Sequence, residues 1–296
     1  MEEAVTFYSE GFKLQGDIYV PDDLADGETR PSVLLCHGYT GLKDLYLPET
    51  ARALNAAGYV VMAFDYKGWG NSEGSPFRLT PYSRVTDAHS ALTFLSLRPE
   101  VDVDRLGLFG WSYGGATVVW LAAHDERVKC VVSSVSPSHG RRWLESVRTA
   151  EEWAELKARA EADRETRVLT GKSEWVPRSM ILYMDEDSKR ISSQSRKSTS
   201  AAAADTLPLE YVDETIGLNA EWVVEHISPR AVLFIACEND RVAPVLEPQT
   251  LFECAGEPKK LVVIPGRGHY DAYFDETFEQ VMSEANAWYD QYLAAD

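Results

Sequence analysis

Apolar runs of strand length alternate with helix-period segments through the first half of the chain. Ala4 to Val20 reads as a β-hairpin turning at Glu10-Gly11 and closed by Pro21. Ser32 to Cys36 and Tyr59 to Phe64 are short apolar runs, the second apolar throughout as a strand buried on both faces would be. Leu45 to Ala57 has helical spacing and stops at Gly58, and Pro81 to Leu97 is again helical. Arg105 to Phe109 predicts a strand, Tyr113 to Ala123 a small-residue helix, and Val128 to Val135 another strand. This β-α-β rhythm predicts an α/β fold with a mostly parallel sheet flanked by helices.

The rhythm breaks from about Ser138 to His226, where polar and charged residues dominate. Trp143 to Arg164 has helical character, and the Ser/Lys/Arg/Ala-rich stretch Ser188 to Ala204 reads as a loop. Strand and helix signals then resume with Ala231 to Cys237, Val245 to Cys254, Leu261 to Ile264 and a final amphipathic helix from Phe274 to Leu293. The expected organisation is therefore a core of residues 1–137 and 227–296, with 138–226 inserted as a mainly helical cap over the carboxyl edge of the sheet.

Charge narrows the function classes. With 47 acidic against 29 basic residues the formal net charge is -18. Such a chain repels phosphate backbones and anionic lipid headgroups, so neither nucleic acid nor a membrane surface is an expected partner. The first residues, Met1 to Phe7, carry no basic and apolar leader pattern, and no long apolar run predicts a membrane span. Cys36, Cys130, Cys237 and Cys254 lack CxxC spacing and are expected as buried free thiols, consistent with a cytoplasmic protein. HExxH and Cys/His clusters are missing, so no metal and no cofactor is expected.

Chemistry concentrates after the predicted strands. Gly110-Trp111-Ser112-Tyr113-Gly114 is a GxSxG pattern, which alone arises by chance in about one chain in ten. Here a strand runs into it and a helix leaves it, the arrangement that projects a serine hydroxyl above a sheet edge. Serine needs a base. Of the six histidines, His269 lies in a loop directly after the last predicted strand. Asp240, after the strand ending at Cys237, is the expected orienting carboxylate, with Glu238 its nearest rival. The order Ser112, Asp240, His269 suits such a sheet. His37-Gly38-Tyr39-Thr40-Gly41 follows the first core strand, and the backbone N–H groups of Tyr39 and Tyr113 are the natural donors to a developing oxyanion. His37 reads as a structural residue of that loop.

HGYTG, DYKGWGNSEG at Asp65–Gly74, GWSYGG, ENDRVAP and GRGHY together resemble the α/β-hydrolase superfamily, most closely its serine esterases and dipeptidyl-peptidase-like hydrolases. The resemblance spans residues from about 5 to 135 and 228 to 295, with Lys67 standing where the family commonly has arginine. It implies that the Asp65 segment is structural and that Ser112, Asp240 and His269 are catalytic.

The expected activity is cleavage of a carboxylic ester of a small molecule through an acyl-enzyme on Ser112. A dipeptidyl or aminoacyl peptidase, a C–C bond, lactone or thioester hydrolase, and a binding protein that has lost catalysis are the alternatives. Trp111 and, in the insertion, Trp143 are candidate substrate contacts; Trp143, Trp153, Trp175 and Trp222 read first as the insertion's own small core. Glu151, Glu152, Glu155 and Glu161 read as a solvated helix face. Homo-oligomerisation is left open.

Overall fold

A computed structural model describes residues 1–77, 80–196 and 204–294. The chain opens with β1 (Glu2–Ser9) and β2 (Phe12–Tyr19), antiparallel neighbours joined through Glu10 and Gly11, both at positive φ (47° and 82°). Two successive positive φ values make the turn whose twist matches paired strands. There follow β3 (Arg30–Cys36), α1 (Leu47–Ala56), β4 (Val60–Phe64), α2 (Pro81–Ser96), β5 (Val101–Trp111), α3 (Tyr113–His124) and β6 (Val128–Ser134). Helix α2 begins where the sequence says it should. Pro81 occupies its first turn, and Thr80 accepts from the Ser83 amide at 3.0 Å while the Ser83 hydroxyl answers the Thr80 amide.

The insertion contains α4 (Gly140–Ser146), α5 (Ala150–Thr170), a ribbon of β7 (Trp175–Pro177), then α6 (Arg178–Ile181), α7 (Glu186–Arg196), the ribbon partner β8 (Thr206–Pro208) and α8 (Tyr211–Ile216). The core resumes with β9 (Ala231–Cys237), α9 (Leu246–Cys254), β10 (Lys259–Ile264) and α10 (Asp275–Tyr292).

Among the described residues eight strands form the main sheet in the order β1-β2-β4-β3-β5-β6-β9-β10. The β1–β2 and β2–β4 pairs are antiparallel and every later pair is parallel. Period-two alternation sorts each buried strand onto two cores. In β3, Leu34 and Cys36 face the side packed by α2 and α3, while Val33 and Leu35 face α1 and α10. The connection after β3 leads outward to β4, whereas β5 lies on β3's other side, so a crevice opens between the carboxyl ends of β3 and β5.

The insertion departs from expectation in detail. The helical stretch from Trp143 is two helices, because Thr149 and Glu152 form a capping box that restarts the chain as α5. Part of the segment expected as a loop, Ser188 to Arg196, belongs to α7; residues 197–203 lie outside the described residues. Glu151, Glu152, Glu155 and Glu161 are exposed on α5, as a solvated face requires. Buried Glu247 on α9 accepts from the Ser138 and His139 amides and from Arg142 Nε (2.7 Å), tying the start of the insertion to the core. Cys36, Cys130 and Cys237 are buried free thiols, but Cys254 is exposed, because the end of α9 leaves it outside the apolar interior. Among the described residues no helix is long and apolar enough to cross a membrane.

Candidate functional site

Strand register assembles the site. Cys36 pairs with Gly110, so the loop that starts at His37 runs alongside Trp111 and Ser112. A Cβ on Gly38 would stand only 3.1 Å from Ser112 Cβ, and one on Gly114 would stand 2.1 Å from the Cys36 carbonyl oxygen. The two loops approach this closely because both positions are glycine. Ser112 itself sits at φ 51° and ψ -125°, a backbone conformation that L residues rarely adopt. Its amide donates to the Ser134 carbonyl at 2.8 Å and its carbonyl accepts from Gly115, which fixes the turn from both sides.

Cys237 pairs with Ile264, so the loops after β9 and β10 emerge side by side. Asp240 Oδ1 accepts from the amides of Val242 (2.8 Å) and Ala243 (2.7 Å), while Oδ2 meets His269 Nδ1 at 2.7 Å. Both side chains are almost fully buried. A carboxylate offers lone pairs only, so Nδ1 carries the proton and Nε2 keeps a lone pair for another hydrogen. The rival Glu238 instead accepts from the Gly266 amide at 2.8 Å, bracing the loop that leads to His269.

Ser112 and His269 line one cavity of ≈ 40 Å³, together with His37 to Gly41, Trp111 and Val242. By volume it has room for about three water molecules. Arg178, Leu182 and Ser192 of the insertion form its outer wall. Behind His269 and Tyr270 lies a larger cleft of ≈ 760 Å³ between α7 and the loops after β9 and β10. Met184 Sδ stands 3.8 Å from the Tyr270 hydroxyl and 3.9 Å from Arg178 Nη2, and so forms part of the partition.

Tyr39 and Tyr113 turn their rings away into an aromatic cluster with centroids 5.1 Å apart, and the Tyr39 hydroxyl meets Thr215 Oγ1 at 2.9 Å. The Tyr113 amide opens α3 and has no partner within that helix. His37 is buried, its Nδ1 3.0 Å from the Gly38 carbonyl oxygen and its ring edge-on to Tyr66. Burial and the neighbouring Arg84 charge hold its imidazole well below the usual histidine range, so it stays neutral.

Trp111 lines the cavity, though its indole is nearly fully buried and donates to Thr50 Oγ1 at 2.9 Å. Trp143 does not reach the cavity. Its indole is buried and donates to the Val242 carbonyl at 2.6 Å, joining the insertion to the Asp240 loop. Trp153 is buried too, whereas Trp175 and Trp222 are exposed, so only part of the expected aromatic core of the insertion forms.

Two residues of the site carry no sequence signal. Buried Arg84 on α2 donates to the His37 and Gly38 carbonyls and stacks 3.8 Å from the Tyr66 ring centroid. Arg178 reaches the cavity from the insertion. Either would pass for a surface charge in a helical segment. Among the described residues no group of three or more His, Cys, Asp or Glu side chains could hold a metal ion.

The family model described as "Alpha/beta hydrolase family" matches residues 33–284. The chain belongs to that family. This chain is similar over 265 residues, at 30% identity, to an "uncharacterized 31.7 kDa protein in traX-finO intergenic region" of Escherichia coli, covering 89% of this chain and 91% of the relative. A protein named thiohydrolase from Eupenicillium brefeldianum is 25% identical over 271 residues, covering 88% of this hydrolase and 85% of its own chain. The crystal structure of the alpha/beta hydrolase GrgF from Penicillium sp. sh18 superposes with a TM-score of 0.82 at 21% identity, over 100% of both chains, and establishes the shared fold.

Proposed function

We propose that this hydrolase cleaves carboxylic esters of small molecules through an acyl-enzyme on Ser112. His269 Nε2 takes the hydroxyl proton as Ser112 Oγ attacks the acyl carbonyl, and later delivers it to the leaving alcohol. Asp240 keeps the imidazole in the tautomer that makes this possible. The Tyr39 and Tyr113 amides receive the oxyanion, and water then hydrolyses the acyl-enzyme with His269 again as base. The observation that carries the reading is the shared cavity: Ser112, on its strained turn, and His269, bonded through Nδ1 to Asp240, line the same small space.

A thioester is the second candidate bond, favoured by the thiohydrolase name of the Eupenicillium brefeldianum relative. Both bonds pass through the same acyl-enzyme. The test is labelling by a fluorophosphonate with p-nitrophenyl acetate turnover alongside. The native enzyme should be labelled at Ser112, and Ser112→Ala should lose labelling and nearly all turnover while keeping its fold. Unimpaired turnover by Ser112→Ala ends the assignment.

A further inference from the structure

The insertion brings to the Ser112 cavity one charge that the proposed reaction does not use. Arg178 opens α6 directly after β7, where its amide donates to the Asp205 carbonyl and its own carbonyl accepts from Leu182, both at 2.9 Å. With its backbone anchored, the side chain reaches the cavity beside the Tyr39–Gly41 loop. Nη1 donates to Thr40 Oγ1 at 3.2 Å, Nη2 donates to Ser192 Oγ at 3.1 Å, and Met184 Sδ lies 3.9 Å away. All three partners are neutral. Among the described residues no carboxylate lies within ion-pair distance of this guanidinium.

Other arginines of the insertion are compensated. Arg142 pairs with Glu221 and Glu247, Arg164 with Asp213, and Arg167 with Asp163, Glu210 and Asp213. Arg148 is held by the main-chain carbonyls of Leu144, Met180 and Ile181. A guanidinium presents five N–H donors in a planar fork that fits a carboxylate, and two hydroxyls leave that fork largely unused. A half-buried cation without a counter-charge is costly, and an anion that enters the cavity removes the cost.

We infer that Arg178 binds a carboxylate at the far end of the substrate's acyl group, so that the preferred substrates are esters of short dicarboxylic acids. The inference rests on the reading of Ser112 as the acyl acceptor. Thr40 follows Tyr39 in the chain, so the guanidinium borders the place where the acyl carbonyl would lodge. Arg178 and Ser112 line the same small space, so the carboxylate it would bind belongs to a short acyl chain and not to the end of a fatty one. In a chain of net charge -18, an inward cation also offers an anion a local attraction that the surface as a whole does not.

The test compares monoethyl succinate with ethyl butyrate, which differ at the chain end by carboxylate against methyl. The native enzyme should show the higher kcat/KM on monoethyl succinate. Arg178→Gln should lower the ratio of the two by about 10- to 100-fold, and Arg178→Lys should give an intermediate ratio because it keeps the charge and loses the fork. An equal ratio in native enzyme and Arg178→Gln overturns the inference. So does a loss of both activities in parallel, which would place Arg178 in holding the Thr40 loop or in stabilising the transition state. Independently of turnover, millimolar succinate at constant ionic strength should raise the Tm of the native protein more than that of Arg178→Gln, and equal shifts overturn the inference. Failure of fluorophosphonate to label Ser112 would remove the acyl-transfer reading while leaving the succinate shift to stand or fall alone.

Discussion

Arg84 donates from Nη1 to the Gly38 carbonyl oxygen at 3.4 Å, so a buried cation grips one side of the peptide whose other side is the Tyr39 amide. The same guanidinium donates to the His37 carbonyl and lies on the Tyr66 ring. Arg84→Met leaves the buried His37 carbonyl without its donor and loosens the loop, although the Gly38 carbonyl keeps the Gly41 amide. Fluorophosphonate labelling of Ser112 should slow by about 10- to 100-fold, because a donor must be held in place to stabilise charge. Urea unfolding should show a loss of about 1 to 3 kcal/mol. A stability loss with unchanged labelling would reduce Arg84 to a purely structural role.

Asp240 divides its oxygens between two tasks, with Oδ1 on the Val242 and Ala243 amides and Oδ2 on His269. In Asp240→Asn the amide oxygen keeps the backbone pair, which turns the NH2 group toward Nδ1 and imposes the wrong imidazole tautomer. Turnover of p-nitrophenyl acetate at neutral pH should fall by roughly 10³- to 10⁴-fold with little change in Tm. Near-native turnover in a folded Asp240→Asn protein would contradict the assigned role.

Met184 stands between the small cavity and the larger cleft, touching Arg178 on one side and Tyr270 on the other. Met184→Ala should join the two spaces. The kcat/KM ratio of p-nitrophenyl octanoate to acetate should rise by about tenfold, as expected when a pocket gains room for added methylenes. An unchanged ratio would show that the partition does not limit acyl length.

Asp65 follows β4, and burial pushes its carboxyl from the ordinary 3.8 up to about 6, although the Lys43 amide donates to it at 2.8 Å. Well below pH 3.8 the group is neutral in both folded and unfolded chains. As pH rises through 6 the unfolded chain has already released the proton while the folded chain must bury the charge, so Asp65's contribution to stability is lost across that window. The size is roughly 3 kcal/mol. Other carboxylates titrate in the same range, so the diagnostic quantity is a difference. Between pH 4 and 6.5 the native protein should lose stability relative to Asp65→Asn in urea unfolding. Parallel pH profiles would disprove the assignment.

Much of this architecture is readable because it is local. The hairpin turn, the strands after which Ser112, Asp240 and His269 follow, and the start of α2 each declare themselves through a few adjacent residues. The insertion is less readable. Ser188 to Arg196 lacks apolar residues enough to advertise a helix, and α7 packs against the loop holding His269 and Tyr270 instead of standing alone. Trp143 could be placed near the site by type, but only packing decides that its indole holds the Val242 carbonyl. Arg84 and Arg178 are invisible as site residues, because an arginine in a polar helical segment ordinarily faces water.

Residue order alone determined that a hydroxyl, a carboxylate and an imidazole would each follow a strand of one parallel sheet, since periodicity and glycine placement are short-range constraints. Tertiary structure decided how near those groups lie, which oxygen of Asp240 meets His269, and which charges face the cavity. Those outcomes depend on strand register and on packing between segments more than a hundred residues apart in the chain, as with Arg178 and Thr40. No local pattern encodes such a distance.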